Sequence, residues 1–304
     1  MPKNNMKKIL IILAVITASL VVITLIPREK EETEEITVVA TLFPFYDMAK
    51  EIGKEKAEVS LLLPPGIEPH SFEPKTGDFI TINNTDIFIY TGKFMEPWAE
   101  EIIKSVEGPI VIEASSGIDL LEEDDHGDEV DPHIWLDLEN VKKIADSIAK
   151  AMIDASPENR DFFIENLNNY IDKLDRLDIS FRESLENCKR QEIIYTGHYA
   201  FGYLSRRYNL EHTALQGLSP DAEPTISSLI SAIERIKEEE IRYIFYEELA
   251  SPRIAEIIRE ETGAEMLSLN PGENLKREEF EQGVSFFNIM EKNLENLKIG
   301  LECL

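Results

Sequence analysis

From residue 36 onward the chain alternates short β-branched and aromatic runs with longer stretches in which apolar residues recur every three or four positions. Runs at 36–41 and 57–63 precede helix-like segments at 46–52 and 76–82, and 86–90 and 109–113 continue the strand series. This order predicts βα units around a largely parallel sheet. A second series repeats it, with strands at 192–196, 241–247 and 265–269 and helices at 224–239 and 252–262. The fold class is therefore α/β, with two lobes that each carry a mostly parallel sheet flanked by helices.

Between the two series, 138–153 and 157–188 are rich in helix formers, hold no Gly and have Pro157 as their single Pro. Ser156-Pro157-Glu158-Asn159 reads as a helix start, with Ser as the cap and Pro in the first turn. Phe163, Leu167, Tyr170, Ile171, Leu174, Leu177, Ile179 and Phe181 mostly keep a helical period. A helix of about 30 residues reaches roughly 45 Å, enough to join one lobe to the next and to resist wide hinge closure. The expected division is an N-terminal segment at 1–35, a first lobe at 36–155, a linker helix at 156–188 and a second lobe at 189–304.

The N-terminal segment has its own pattern. Lys3, Lys7 and Lys8 precede an apolar run from Ile9 to Ile26, and Glu29, Glu31, Glu32, Glu34 and Glu35 follow it. A helix of that length is about 27 Å long, close to a bilayer core, and the basic flank stays in the cytoplasm. Everything downstream is then exported, anchored to the cell membrane. A cleaved signal peptide is the alternative, with Thr17, Ala18 and Ser19 as small residues near a cut, and no Cys lies near residue 20 to carry a lipid.

Lys and Arg number 31 against 59 Asp and Glu, a formal charge of −28, and no basic stripe is present to meet a phosphate backbone. Nucleic acid is thereby set aside as a partner. Cys188 and Cys303 are the two cysteines. In an exported chain they could pair, a bond worth about 4–5 kcal/mol in the chain-entropy model. Two free thiols remain the alternative.

Of the five histidines, three have unusual neighbours. His70 closes Leu63-Pro64-Pro65-Gly66-Ile67-Glu68-Pro69-His70, a turn-rich loop after a strand. His133 lies in Asp131-Pro132-His133-Ile134-Trp135-Leu136-Asp137 ahead of a long helix, and His198 in Tyr195-Thr196-Gly197-His198-Tyr199-Ala200-Phe201-Gly202-Tyr203 after a strand. In open α/β sheets ligands collect beyond the carboxyl ends of the strands, where His70 and His198 stand. Their separations fit neither a zinc finger nor an HExxH helix, so a shared site needs the tertiary fold to assemble it. Three imidazoles plus one carboxylate would give tetrahedral zinc. Glu273, in Leu269-Asn270-Pro271-Gly272-Glu273, is the candidate carboxylate, and Glu247 is the reserve.

These segments together resemble the metal-binding solute-binding proteins of bacterial and archaeal zinc and manganese ABC transporters, the cluster 9 or A-I family. The likeness runs from about Val38 to Lys298 and includes Ile244-Phe245-Tyr246-Glu247. It implies two α/β lobes joined by one long rigid helix, with the metal in the cleft between them. His70 and His133 would be ligands from the first lobe and His198 from the second. Glu273 matches the fourth ligand of some zinc-type members; others use an aspartate near the position of Asn270, and water is a further alternative. Manganese-type members tend to place a carboxylate where His198 stands, so Zn²⁺ is expected over Mn²⁺. The His-rich loop of zinc-type members shrinks here to 122–131, acidic and with His126 alone, which reads as a solvated charge run; His212 reads as structural. Trp98, Tyr199 and Phe201 read as core residues near the cleft.

The expected function is an extracytoplasmic binding component, monomeric and without catalysis, that captures Zn²⁺ and passes it to an ABC permease and its ATPase. The rival readings are an exported zinc hydrolase using Glu247 or Glu68 as base, and an adhesin-like surface protein.

Overall fold

The computed structural model describes residues 35–123, 129–218, 224–249 and 252–304. The anchor or signal segment and His126 lie outside the described residues. Strands Ile36–Ala40 (β1), Ala57–Leu61 (β2), Ile87–Tyr90 (β3) and Ile110–Glu113 (β4) form one parallel sheet in the order β2-β1-β3-β4. Its central strand β3 is buried at all four positions, as a continuous Ile-Phe-Ile-Tyr run requires when both faces are covered. Around it pack helices Phe43–Gly53 (α1), Thr76–Asn83 (α2) and Ala99–Ile103 (α3). A two-residue antiparallel hairpin, Glu122–Glu123 (β5) with Glu129–Val130 (β6), leads out of this lobe.

Two helices then run in succession. Leu138–Ala155 (α4) is capped by Asp137, which accepts a hydrogen bond from the backbone of Glu139 at 2.9 Å. Arg160–Leu185 (α5) is the linker, 26 residues and about 39 Å long. Phe163, Leu167, Tyr170, Leu174, Leu177, Phe181 and Leu185 form its buried stripe, while Ile179, expected on the same face, is 52% exposed. Its start differs from the expected cap. Residues Pro157–Asn159 form a 3₁₀ turn, and Ser156 Oγ spends its bonds on the Glu158 and Asn159 side chains rather than on a backbone N–H.

The second sheet repeats the first in topology. Strands Glu192–Tyr195 (β7), Glu211–Ala214 (β8), Tyr243–Glu247 (β9) and Glu265–Leu269 (β10) are parallel in the order β10-β9-β7-β8. Helices Gly202–Tyr208 (α6), Ile226–Glu238 (α7), Arg253–Thr262 (α8), Arg277–Glu281 (α9) and Phe286–Gly300 (α10) connect and close it. In both sheets the chain reverses direction beside its first strand, which opens a crevice at the carboxyl ends.

Residues 35–304 make one compact unit, and a single apolar core runs from Val38 and Met48 through Phe163 and Leu174 to Tyr195 and Phe245. A polar knot reinforces it. Arg207 on α6 donates to Asp178 on α5 and to the cap residue Asp137, both at 2.8 Å, and Tyr208 adds a bond to Asp178 at 2.9 Å. Burial would raise the Asp178 carboxyl, but bonds from Arg207, Arg182 and Tyr208 outweigh it and bring it down to about 2. Cys188 and Cys303 form a disulfide, so the C-terminus is tied to the end of the linker helix across 115 residues of sequence.

Two outcomes follow from these ties. A folded pKa below the unfolded value gives stability that is present above about pH 4 and lost as pH falls toward about 2. The stability gap between the native protein and Asp178→Asn, read from denaturant melts, should therefore close over that range; a gap independent of pH would remove the knot from the acid limb. Replacing both cysteines by Ser should lower unfolding free energy by about 2–5 kcal/mol in the same assay.

Candidate metal centre

The four residues singled out by sequence meet at one point. His70 ends the loop after β2, His133 precedes the 3₁₀ turn Ile134–Leu136 that leads into α4, His198 follows β7, and Glu273 follows β10. One nitrogen from each histidine and one Glu273 oxygen all lie within 4.8 Å of one another. His133 Nε2 and His198 Nε2 are 3.1 Å apart, and Glu273 Oε1 stands 2.8 Å from the first, 3.0 Å from the second and 3.6 Å from His70 Nε2. A tetrahedron with ligands at 2.0–2.1 Å has edges of about 3.3 Å, inside that spread. His133 and His198 are fully buried, and only His70 has a partly exposed edge.

The far nitrogens decide what these atoms can do. His133 Nδ1 is 2.7 Å from Asp131 Oδ1, and His198 Nδ1 is 2.8 Å from Glu247 Oε2. A carboxylate only accepts, so each Nδ1 carries its proton there and each Nε2 turns a lone pair inward. Burial opposes charge on His133, but Asp131 and Glu273 prevail and hold its imidazole above the usual range. The same contest at His198, with Glu273 and Glu247, raises it well above. His70 has no such backing and burial lowers it. Burial would raise Glu273, yet His198 and the hydrogen bonds of the three imidazoles hold it well below the carboxylate range. A cluster of this kind attracts either protons or a small cation.

Glu247, the reserve ligand, thus sits on the opposite nitrogen of His198 and positions the ring. Asn270 accepts from the Gly272 backbone at 2.8 Å and shapes the turn, in which Gly272 has φ +77. Phe201 is core and packs edge-on to Tyr195, Trp98 packs edge-on to Phe72, and His212 lies on β8 against Tyr199.

Other residues that hold the site had no assigned role in the sequence reading. Asn274, wholly buried, donates to the carbonyls of Pro64 and Ile67 at 2.9 and 2.8 Å and so clamps the His70 loop to the Glu273 loop. Trp135 donates to the Pro271 carbonyl at 2.8 Å, and Asn293 exchanges two backbone bonds with Asn270. The signal for Asp131 and Trp135 was their place inside the His133 motif; Asn274 and Asn293 offered none beyond being Asn near a loop or in a helix.

Comparisons with known proteins place the chain among zinc-uptake components. The family profile described as zinc-uptake complex component A, periplasmic, matches residues 38–300. A high-affinity zinc uptake system protein, ZnuA, of Bacillus subtilis is 36% identical over 88% of this chain and 88% of its own length. The zinc-binding lipoprotein AdcA of Streptococcus pneumoniae is 34% identical over 96% of this chain, which spans 61% of that longer protein. The crystal structure of its Zn(II)-bound ZnuA-like domain superposes with a TM-score of 0.78 at 34% identity, covering 88% of this chain and 99% of that domain.

Glu247→Ala should keep all four converging side chains but free the His198 ring, and so weaken binding of a tetrahedral divalent cation about 10–100-fold, measured by competition with a chromogenic chelator. Unaltered affinity would deny Glu247 its positioning part.

Proposed function

The chain belongs to the ZnuA family of zinc-uptake components, and from that premise we propose that it is the extracytoplasmic solute-binding component of an ABC importer. It captures Zn²⁺ between His70, His133, His198 and Glu273 and delivers it to a membrane permease driven by its ATPase. The observation that supports this most is the set of three inward imidazole nitrogens and one carboxylate oxygen within 4.8 Å, with two protons pinned on the outward nitrogens. Three nitrogens and one oxygen suit zinc better than manganese, which prefers carboxylates. The family is one of zinc-binding transport proteins and not of enzymes, and the hydrolase reading is set aside.

Capture exchanges charge for charge. Glu273 and the three imidazoles replace water around the ion, while Asp131 and Glu247 strengthen the imidazoles as donors. In this reading 36–155 and 189–304 are the two lobes, 156–188 joins them, and 1–35 holds the domain to the outer face of the cell membrane as a monomer. Among the described residues no helix is long and apolar enough to cross a membrane; what supports the anchor is the basic flank and the apolar run from Ile9 to Ile26.

Calorimetry checks the ligand set. His133→Ala or His198→Ala should abolish tight zinc binding, and His70→Ala should weaken it strongly. Wild-type affinity in any of them would take that residue out of the centre. The raised pKa values of His133 and His198 set the sign for pH: zinc must displace protons, so affinity falls as pH drops, and binding in buffers of different ionisation enthalpy should show net proton release near neutral pH. Binding without proton release would contradict the assignment.

A further inference from the structure

A cavity of about 220 Å³ borders Asp131, its wall completed by Leu121, Gly202, Ser205, Arg206 and His212 among others. Four buried polar atoms of residues on this wall have no hydrogen-bond partner among the described residues: Asp131 Oδ2, Ser205 Oγ and both ring nitrogens of His212. Asp131 is 1% exposed and Ser205 4%. Buried polar groups in folded proteins are almost always satisfied, by protein or by ordered water. Orphans gathered around one cavity point to a shared partner.

Several details narrow what that partner is. Asp131 Oδ1 is already committed, accepting from the backbone and from Nδ1 of His133 at 2.9 and 2.7 Å. The residue's own backbone is fixed, since its N–H donates to Leu121 and its carbonyl accepts from Tyr203. The remaining freedom is rotation of the carboxylate plane, which an unheld Oδ2 leaves loose. Gly202 keeps room for that oxygen, because a Cβ there would stand 2.6 Å from it. Burial, with the charges of His198 and His133, pushes the His212 imidazole down to about 3, so the ring is neutral and offers one donor and one acceptor. A metal ion does not fit, for among the described residues His, Asp, Glu and Cys side chains converge at ligand distance only in the centre already described. Water fits: one molecule needs roughly 10–15 Å³ of such space and two to four polar partners.

We infer that water in this chamber, anchored by Ser205 and His212, fixes the free oxygen of Asp131 and so aims His133 at the metal, making Ser205 and His212 positioning residues for zinc that never reach the ion. The inference rests on His133 being a zinc ligand, as proposed above. It extends the carboxylate backing of that ring one layer outward, through solvent built into the fold. The corresponding carboxylate of His198, Glu247, likewise bonds its ring directly, from the end of β9.

The test has two arms. Crystal structures of the metal-free and zinc-loaded protein at high resolution should show ordered water bridging Asp131 Oδ2 to Ser205 or His212; a chamber without it would overturn the inference. Chelator competition should show Ser205→Ala and His212→Phe binding zinc about 3–10-fold more weakly, less than the 10–100-fold expected when a direct partner such as Asp131 is truncated. Cobalt(II) bound in place of zinc should show shifted d–d absorption in both variants while the melting temperature of the metal-free proteins stays near wild type. Ser205→Thr, which restores a hydroxyl, should recover affinity and spectrum. Wild-type affinity and spectrum in both variants would refute the positioning role while leaving the zinc centre intact. Failure of the unaltered protein to bind zinc would instead bring down the centre itself, and the metal-free crystal would still report whether the chamber is wet.

Discussion

Two imidazole lone pairs 3.1 Å apart, facing the same carboxylate oxygen in a space closed to water, repel one another unless positive charge lies between them. This is the constraint on which the rest depends. Asp131 and Glu247 impose it by holding the outward nitrogens protonated. A folded chain can tolerate such a point in two ways, by protonating the imidazoles or by binding a cation. The fold keeps both routes available.

Holding the point requires loops that behave like core. The His70 loop is Pro- and Gly-rich and would wander alone, yet Asn274 grips two of its carbonyls from the Glu273 loop. That loop is in turn held by Trp135, next to His133 in the chain, and by Asn293 of α10. Two of the four segments are thereby braced by another: the His70 loop by Asn274 and the Glu273 loop by Trp135. Behind them, the α5 stripe and the Arg207 knot join both sheets into one apolar body, so the ligand atoms keep their spacing without metal.

Much of this was readable in the chain. Seven of the eight strands of the two sheets, the long α5 and the strand-end loops follow from period and from turn residues, because those are local properties, whereas the edge strand β8 and the order within each sheet did not. His70, His198 and Glu273 were found by the same rule, that ligands gather past carboxyl ends of parallel strands. His133 was not, since it precedes a helix, and only its motif marked it. Glu247 was legible as important but not in its role: whether a carboxylate meets the metal or the ring behind it depends on a few ångströms of tertiary placement. Ser156 and Pro157 do stand at the cap and first turn, but the Ser156 hydroxyl goes to the Glu158 and Asn159 side chains, a local choice that propensity does not rank. Asn274 and His212 lay beyond reach, as their meaning comes from partners, or missing partners, more than sixty residues away.

Charge compensation explains how so deep a centre can both load and empty. In the proposed function a bound zinc would place a charge of +2 before the carboxylates of Glu273, Asp131 and Glu247. Without a cation, those same carboxylates favour protons on the inward nitrogens of His133 and His198, both within reach of Glu273 Oε1. Protons and a cation thus offset the same buried carboxylates, which lowers the desolvation penalty of exchanging one for the other. His70 completes the contrast. Lowered by burial and standing at the partly exposed edge, it stays neutral and needs no proton to leave before it coordinates. In the proposed function an arriving ion would find a neutral donor in His70, whereas His133 and His198 would have to give up protons to it.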